Sequence, residues 1–161
     1  MKLKHLLIIP TLLMFVSCGL FKSAGDLFSE AEIKRNSGEV NEALELLQKI
    51  VIKHTDHEIA PEAQYLIAEI YYRDMRDYSK AIEQYGLVKT NFPEAKQVPF
   101  SFFMQGFIYA NMLADFKQAE AHYSEFLEKY PDHELHQSVE FELKYLGKEI
   151  KEIPELKHIT K

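Results

Sequence analysis

Three blocks of the sequence recur at a constant spacing of 38 residues and decide the fold: Val40-Asn-Glu-Ala43-Leu-Glu-Leu-Leu47, Tyr78-Ser-Lys-Ala81-Ile-Glu-Gln-Tyr85 and Phe116-Lys-Gln-Ala119-Glu-Ala-His-Tyr123. Each block has a large residue, then Ala three positions later, then a second large residue. This spacing places all three on one face of an α-helix. Because a fixed period of roughly 20–50 residues is typical of solenoids, the blocks predict a stack of helices.

A second helix is predicted upstream of each block. It carries a small residue where two helices cross closely, namely Ala31, Ala68 and Gly106 in turn. Pro61 and Pro99 suit the first turn of such a helix, where a missing N–H costs little. Pro93 and Pro131 stand where the block helix must end. The repeating unit is therefore predicted to be a helical hairpin.

The resulting prediction is an all-α chain. We place its helices at about 26–37, 40–54, 61–75, 78–91, 99–113, 116–129 and 135–149. The seventh helix has no partner and is expected to cap the array.

Composition narrows the class of protein. The 161 residues are 47% hydrophobic with 6 Gly and 6 Pro, which fits one globular domain and excludes collagen-like chains. With 19 Lys+Arg against 25 Asp+Glu, the chain lacks the basic excess typical of nucleic-acid binding. Its single cysteine, Cys18, excludes an intrachain disulfide framework.

The helical pattern resembles the tetratricopeptide repeat. The resemblance implies a right-handed superhelix of three hairpins, with repeats at about 24–57, 61–95 and 99–133, a cap at 135–149 and a tail at 151–161. Repeat one departs from the pattern, since Lys34 stands where Tyr71 and Tyr109 occur in the other repeats. The usual period is about 34 residues. We expect the extra residues in the turns at 73–77 and 111–115 and in the loops between repeats.

The N-terminus reads as a targeting segment. Residues 1–17 have a basic start followed by an apolar run, as in a secretory signal peptide. The stretch from Phe15 to Gly19 resembles the lipobox of bacterial lipoproteins, which implies cleavage before Cys18 and lipidation there with acyl chains such as palmitate. A glycine directly after the cysteine, here Gly19, resembles the pattern of lipoproteins sent to the outer membrane of Gram-negative bacteria. Residues 18–25 are expected to form a tether. The alternative is a plain signal peptide with an incidental cysteine.

Lipoproteins of this repeat class suggest a function. The chain is similar to BamD-like β-barrel-assembly lipoproteins and to YbgF-like proteins of the Tol-Pal system. This resemblance implies a non-catalytic scaffold for envelope proteins, anchored by lipid at the periplasmic face of the outer membrane. No cofactor, metal, nucleic acid or small-molecule substrate is implied.

The family's partner-binding groove can be carried onto the first helix of each hairpin. It falls on an aromatic strip edged by charge: Phe28, Glu32, Arg35 and Asn36, then Tyr65, Glu69, Tyr72 and Arg73, then Phe100, Phe103, Phe107 and Asn111. Aromatic rings supply contact area, and charged groups fix register. The alternative is that several rings pack inside the array.

The sequence offers two alternatives to a scaffold, a metal site and an enzyme. The pairs His54/His57 and His133/His136 have a spacing that suits a metal, yet both fall in predicted loops between repeats. The alternative function is a peptidoglycan-processing or metal-dependent periplasmic enzyme. The sequence has no G-x-S-x-G, H-E-x-x-H or P-loop motif, so we predict no catalytic residues.

Overall fold

A computed structural model of the chain describes residues 22–156. The predicted signal peptide, the predicted lipidation site Cys18 and the end of the predicted tail lie outside this range. Within it the structure has seven α-helices and no strand, in the order α1 (Ala24–Asn36), α2 (Val40–Lys53), α3 (Ala60–Glu69), α4 (Tyr78–Asn91), α5 (Gln97–Asn111), α6 (Phe116–Lys129) and α7 (His136–Lys144). The predicted all-α fold is confirmed.

Each helix packs on the next one along the chain, as in a solenoid. We call α1, α3 and α5 the A helices and α2, α4 and α6 the B helices of three hairpins. The small residues Ala31, Ala68 and Gly106 are buried, as are Ala43, Ala81 and Ala119. At Gly106, an added Cβ would lie 2.5 Å from the ring of Tyr123. Helix contact this close requires residues with almost no side chain.

The helix boundaries follow local chemistry. Helix α1 begins two residues earlier than predicted because Ser23 and Asp26 form a reciprocal capping box. Asp77 and Asp115 cap α4 and α6 by accepting hydrogen bonds from backbone N–H groups, each at 3.1 Å. Helices α4 and α6 end two residues before Pro93 and Pro131, as predicted.

The turns between the A and B helices of repeats two and three hold part of the extra length of the longer period. Helix α3 continues as a π-helical turn, Ile70–Asp74, closed by a hydrogen bond from Met75 N to Ile70 O of 3.0 Å. Helix α5 ends in the same way, with Leu113 N bonded to Ile108 O at 3.1 Å. A π turn inserts one residue without breaking the helix, which explains why α3 is followed by a longer connection than α1.

The predicted seventh helix is too long. It ends at Lys144 rather than at residue 149, because Gly147 turns the chain with a φ of 74°. The segment beyond folds back as two 3₁₀ turns, Ile150–Glu152 and Pro154–Leu156, with the side chain of Ile153 buried. The carboxylate of Glu155 accepts a hydrogen bond from the Tyr145 hydroxyl. The cap is therefore a short helix covered by its own tail. No helix in residues 22–156 combines the length and hydrophobicity that crossing a bilayer requires.

Candidate functional site

The A helices present a row of aromatic rings. Phe28, Tyr65 and Phe103 occupy equivalent positions in α1, α3 and α5, and all three are half-buried. Each ring packs against the core of its own part of the array. Phe141 continues the row into α7. We call Phe28, Tyr65, Phe103 and Phe141 the aromatic row. The first three rings pack against the core, and all four remain partly exposed.

Tyr65 is the best-supported ring of the row. Its centroid lies 5.3 Å from that of Tyr85 in an edge-to-face arrangement. Burial, followed by the nearby Glu69 carboxylate, raises the pKa of Tyr65 to about 12. The hydroxyl therefore stays protonated at physiological pH and can donate a hydrogen bond to a ligand.

Three of the four charged groups predicted for the groove, namely Arg35, Glu69 and Arg73, form ion pairs within the array. Arg35 Nε lies 2.7 Å from Asp74 Oδ2, and Arg35 Nη1 lies 3.7 Å from Glu69 Oε2. Arg73 Nε approaches the other oxygen of Glu69 at 3.6 Å. Arg35 and Glu69 thus join α1 to α3, and their contact with a partner stays a prediction. Among the three paired residues, Arg73 is the most exposed, at 63% of its side chain.

Two predicted groove residues lie at the edge of the array where the A–B turns are. Tyr72 and Arg73 line a recess of about 400 Å³ together with Arg76, Tyr78 and Met112. The recess lies between the turns of repeats two and three. The structure therefore separates these two residues from the aromatic row.

The remaining predicted residues lie toward the C-terminal end. The rings of Phe103 and Phe107 have centroids 5.9 Å apart, and Asn111 Nδ2 donates a 3.1 Å hydrogen bond to the carbonyl of Phe107. Asn111 also lines a cavity of about 420 Å³ with Tyr145 and Glu142 of α7. Burial raises the pKa of the Glu142 carboxyl.

Phe141 of α7 and Tyr145, which directly follows α7, were not predicted as groove residues from the sequence. Phe141 and Tyr145 follow Phe103 and Phe107 by 38 residues, so the repeat period could have identified them. At the opposite end of the array, Phe28 lines a cavity of about 580 Å³ with Pro61 and Gln97. The A helices thus carry recesses at both ends of the aromatic row.

The histidines serve the loops between repeats. His57 Nδ1 accepts a hydrogen bond from the N–H of Ile59 at 3.2 Å, and His133 Nδ1 accepts one from Leu135 at 3.1 Å. These matching bonds shape the chain before α3 and α7. Within residues 22–156, no three His, Cys, Asp or Glu side chains are grouped to hold a metal ion.

Among the rings of α5, Phe102 is buried, and the predicted groove rings Phe100 and Phe103 are half-buried. At least one ring of this run faces the core, as the sequence requires. Aromatic rings thus occupy the predicted positions on α1, α3 and α5. The binding of a partner by these rings stays a prediction.

Comparison with known proteins assigns the chain to a family. No curated protein matches it. The family model described as YfiO, outer membrane lipoprotein, matches residues 22–153, which cover all seven helices. The match confirms the predicted resemblance to BamD-like tetratricopeptide lipoproteins. The chain belongs to the YfiO family of outer membrane lipoproteins.

Proposed function

We propose that the protein is a non-catalytic scaffold that holds envelope proteins together at the outer membrane. The observation that carries this proposal is the aromatic row, whose half-buried rings lie at equivalent positions on successive A helices. Family membership supports the location at the outer membrane. Components of β-barrel assembly or of the Tol-Pal system are the partners we propose.

The aromatic row suits a protein segment. Its rings are held by the core, so binding costs little side-chain entropy, and the open faces supply apolar contact area. The hydroxyl of Tyr65 adds a hydrogen-bond donor in the middle of the row. An extended segment or a helix lying across α1, α3 and α5 would contact successive rings.

Lipid attachment at Cys18 is the anchor we propose. Acyl chains contribute about 0.8 kcal/mol per buried CH₂, so several chains hold a protein at a bilayer. Anchoring raises the effective concentration of the scaffold toward other membrane-bound proteins. After removal of residues 1–17 the chain carries 17 Lys+Arg against 25 Asp+Glu, which keeps the domain off anionic lipid surfaces.

The anchor is tested with Cys18→Ala in the full-length chain. We expect the variant to leave the membrane fraction, with Ser17→Ala as a control that stays there. A Cys18→Ala protein that remains membrane-bound would contradict the anchor.

The partner surface is tested with the double variant Tyr65→Ala/Phe103→Ala in native membranes. Loss of two anchor rings should reduce co-purification of the barrel-assembly or Tol-Pal partner by about tenfold or more. Ile52→Ala is the matched control, because Ile52 lies on a B helix and is 76% exposed. Equal co-purification by both variants, with the fold intact by circular dichroism, would rule out the aromatic row.

The enzymatic alternative is tested on the same protein. Incubation of the purified chain with murein should release no soluble fragments. Release that persists through further purification and disappears in an acidic-residue variant would replace the scaffold with a peptidoglycan-processing enzyme.

A further inference from the structure

Helix α7 stands in the place of a fourth A helix, and the chain's own tail lies against its groove position. Phe141 and Tyr145 follow the predicted groove rings of α5 by one period of 38 residues. We propose that residues 153–155 hold this position until a partner segment of the same chemistry, an apolar side chain two residues before a carboxylate, displaces them. This inference rests on the proposed function, because the partner is the protein that binds the aromatic row.

The carboxylate of Glu155 is bound by two donors at this position. The Tyr145 hydroxyl lies 2.7 Å and 2.6 Å from its two oxygens, and Lys144 Nζ lies 3.1 Å from Oε1. The hydrogen bond from Tyr145, a backbone hydrogen bond and Lys144 together lower the pKa of Glu155 to about 2. A hydroxyl and an ammonium that meet on one carboxylate favour an ionised acid as the occupant.

The apolar contact of the tail is Ile153. Its side chain is 7% exposed and lines the cavity of about 420 Å³ together with Phe141 and Tyr145. Burial raises the pKa of the Glu142 carboxyl on the same wall, so this cavity disfavours charge. The cavity therefore suits an apolar side chain, while the carboxylate is bound outside it by Lys144 and Tyr145.

The tail lies over the cavity without filling it. About 420 Å³ remain open beside Ile153, between the tail and the walls that Asn111, Phe116 and Phe141 provide. Protein interiors are normally packed without voids of this size. A leucine or phenylalanine in place of the isoleucine would bury more apolar surface there. A partner segment can therefore bind this position more tightly than the tail does.

Helix α7 is attached to the array by residues other than the tail. Val139 is fully buried, and Leu143 and Leu146 pack with it against the core of the third repeat. The chain turns away after α7 at Gly147, which has a φ of 74°. Release of the tail therefore frees the groove position and leaves the packing of α7 in place.

Few other contacts hold the tail. Ile150 is 56% exposed, Glu149 pairs with Lys151, and the N–H of Glu149 donates to the Glu152 carboxylate. These charged groups bind one another within the tail. Ile153 and Glu155 thus provide its main contacts with the groove position.

The backbone of the tail indicates a non-helical partner segment. Ile153 is extended, with φ of -88° and ψ of 111°, and Pro154 begins the 3₁₀ turn that carries Glu155. In an α-helix, residues two positions apart do not face the same neighbour. A partner that reproduces both contacts is therefore not a regular α-helix at this position.

A peptide supplied in trans tests the site without knowledge of the partner. The probe is a fluorescent peptide with the sequence of residues 149–156, and the protein is the purified full-length chain. Ile153→Ser/Glu155→Gln should release the tail, with the helices intact by circular dichroism. The peptide should bind this variant about tenfold or more tightly than the parent, because a tail on a short linker competes at an effective concentration of about millimolar.

Two further variants control the peptide experiment. Lys151→Gln changes an exposed tail residue that pairs only within the tail, so it should bind the peptide as weakly as the parent. Tyr145→Phe added to the released variant removes the hydroxyl donor and should weaken peptide binding about fivefold. A peptide with the same Ser and Gln substitutions should not bind.

Displacement by the partner is tested with a photoreactive phenylalanine analogue at Phe141 in native membranes. In the parent, we expect links mainly to the chain's own tail. In Ile153→Ser/Glu155→Gln, links to the envelope protein that the analogue captures at Phe103 should rise about tenfold, while Lys151→Gln behaves as the parent does.

Several results would overturn the inference. They are equal peptide affinity in parent and released variant, no peptide binding by the released variant, or links from position 141 to a second copy alone. If position 103 captures a partner and its links at position 141 do not rise, the tail inference fails and the proposed function stands. No partner at position 103 in either chain would overturn the proposed function itself, and the displacement with it.

Discussion

Arg35 and Asp74 are 39 residues apart in sequence and form an ion pair of 2.7 Å that joins α1 to the π turn after α3. Both side chains are less than a third exposed, at 19% and 28%. The pair is the clearest contact between the first repeat, which departs most from the pattern, and the second. It fixes α1, which carries Phe28 of the aromatic row, against the second repeat.

A double-mutant cycle on Arg35→Ala and Asp74→Ala measures this link. We expect a coupling free energy of about 0.5–1 kcal/mol, because the pair is partly desolvated and hydrogen-bonded. The coupling should weaken with salt. Chemical unfolding of the four proteins gives the value. The exposed pair Lys151–Glu149 is the control and should show no coupling, whereas no coupling at Arg35 and Asp74 would remove the proposed link.

Gly106 and Gly86 should respond oppositely to alanine. A Cβ at Gly106 would lie 2.5 Å from Tyr123 Cε1 in a fully buried contact, and overpacking of this kind costs about 1–3 kcal/mol. At Gly86, the nearest atom is Gln105 Nε2 at 3.4 Å, so the higher helix propensity of alanine should stabilise by up to about 1 kcal/mol. Urea midpoints test both, and destabilisation of equal size at the two positions would contradict the packing described.

The turn positions Gly38 and Ala114 give a second opposed pair. Both have positive φ, at 81° and 52°. Gly38→Ala should lower the free energy of unfolding by about 1 kcal/mol, because a Cβ disfavours this conformation. Ala114→Gly should raise it by about 0.5 kcal/mol, since relief of strain exceeds the entropy that glycine adds to the unfolded chain. Thermal unfolding checks the signs, and a stabilised Gly38→Ala would refute the turn geometry.

Glu142 makes stability depend on pH. Burial raises its pKa above the ordinary 4.5, so the folded state favours the protonated carboxyl. Its contribution is fully present below the unfolded pKa and is lost as pH rises through the folded pKa. Glu142→Gln should therefore be more stable than the parent at pH 7, and the difference should shrink toward pH 4. Glu120→Gln, at an exposed position of α6, is the control. A difference that does not depend on pH would show that the carboxyl is not desolvated.

The sequence predicts the hairpins well because their cause is local and periodic. Ala43, Ala81 and Ala119 recur with large residues around them, and this pattern alone fixes which helix face is buried. The loop role of His57 and His133 was also visible, since both stand at the same repeat position. Their identical hydrogen bonds follow from that equivalence.

Other features depend on contacts that no local pattern contains. Helix α7 ends early because its tail folds back and buries Ile153, a contact between segments that the repeat does not include. Arg35 and Glu69 lie on the predicted groove surface, yet an ion pair to Asp74 from a π turn engages Arg35. Sequence spacing places residues on a face; it does not show which neighbours neutralise their charges.

The aromatic row as a partner surface is the central claim, and a photoreactive phenylalanine analogue at Phe103 tests it most directly. The analogue keeps the ring, so the full-length chain in native membranes should stay folded. Illumination should link position 103 to one β-barrel-assembly or Tol-Pal component, while the same analogue at Ile52, on α2, gives no such product. An identical set of products from both positions, or none from position 103, would contradict the account.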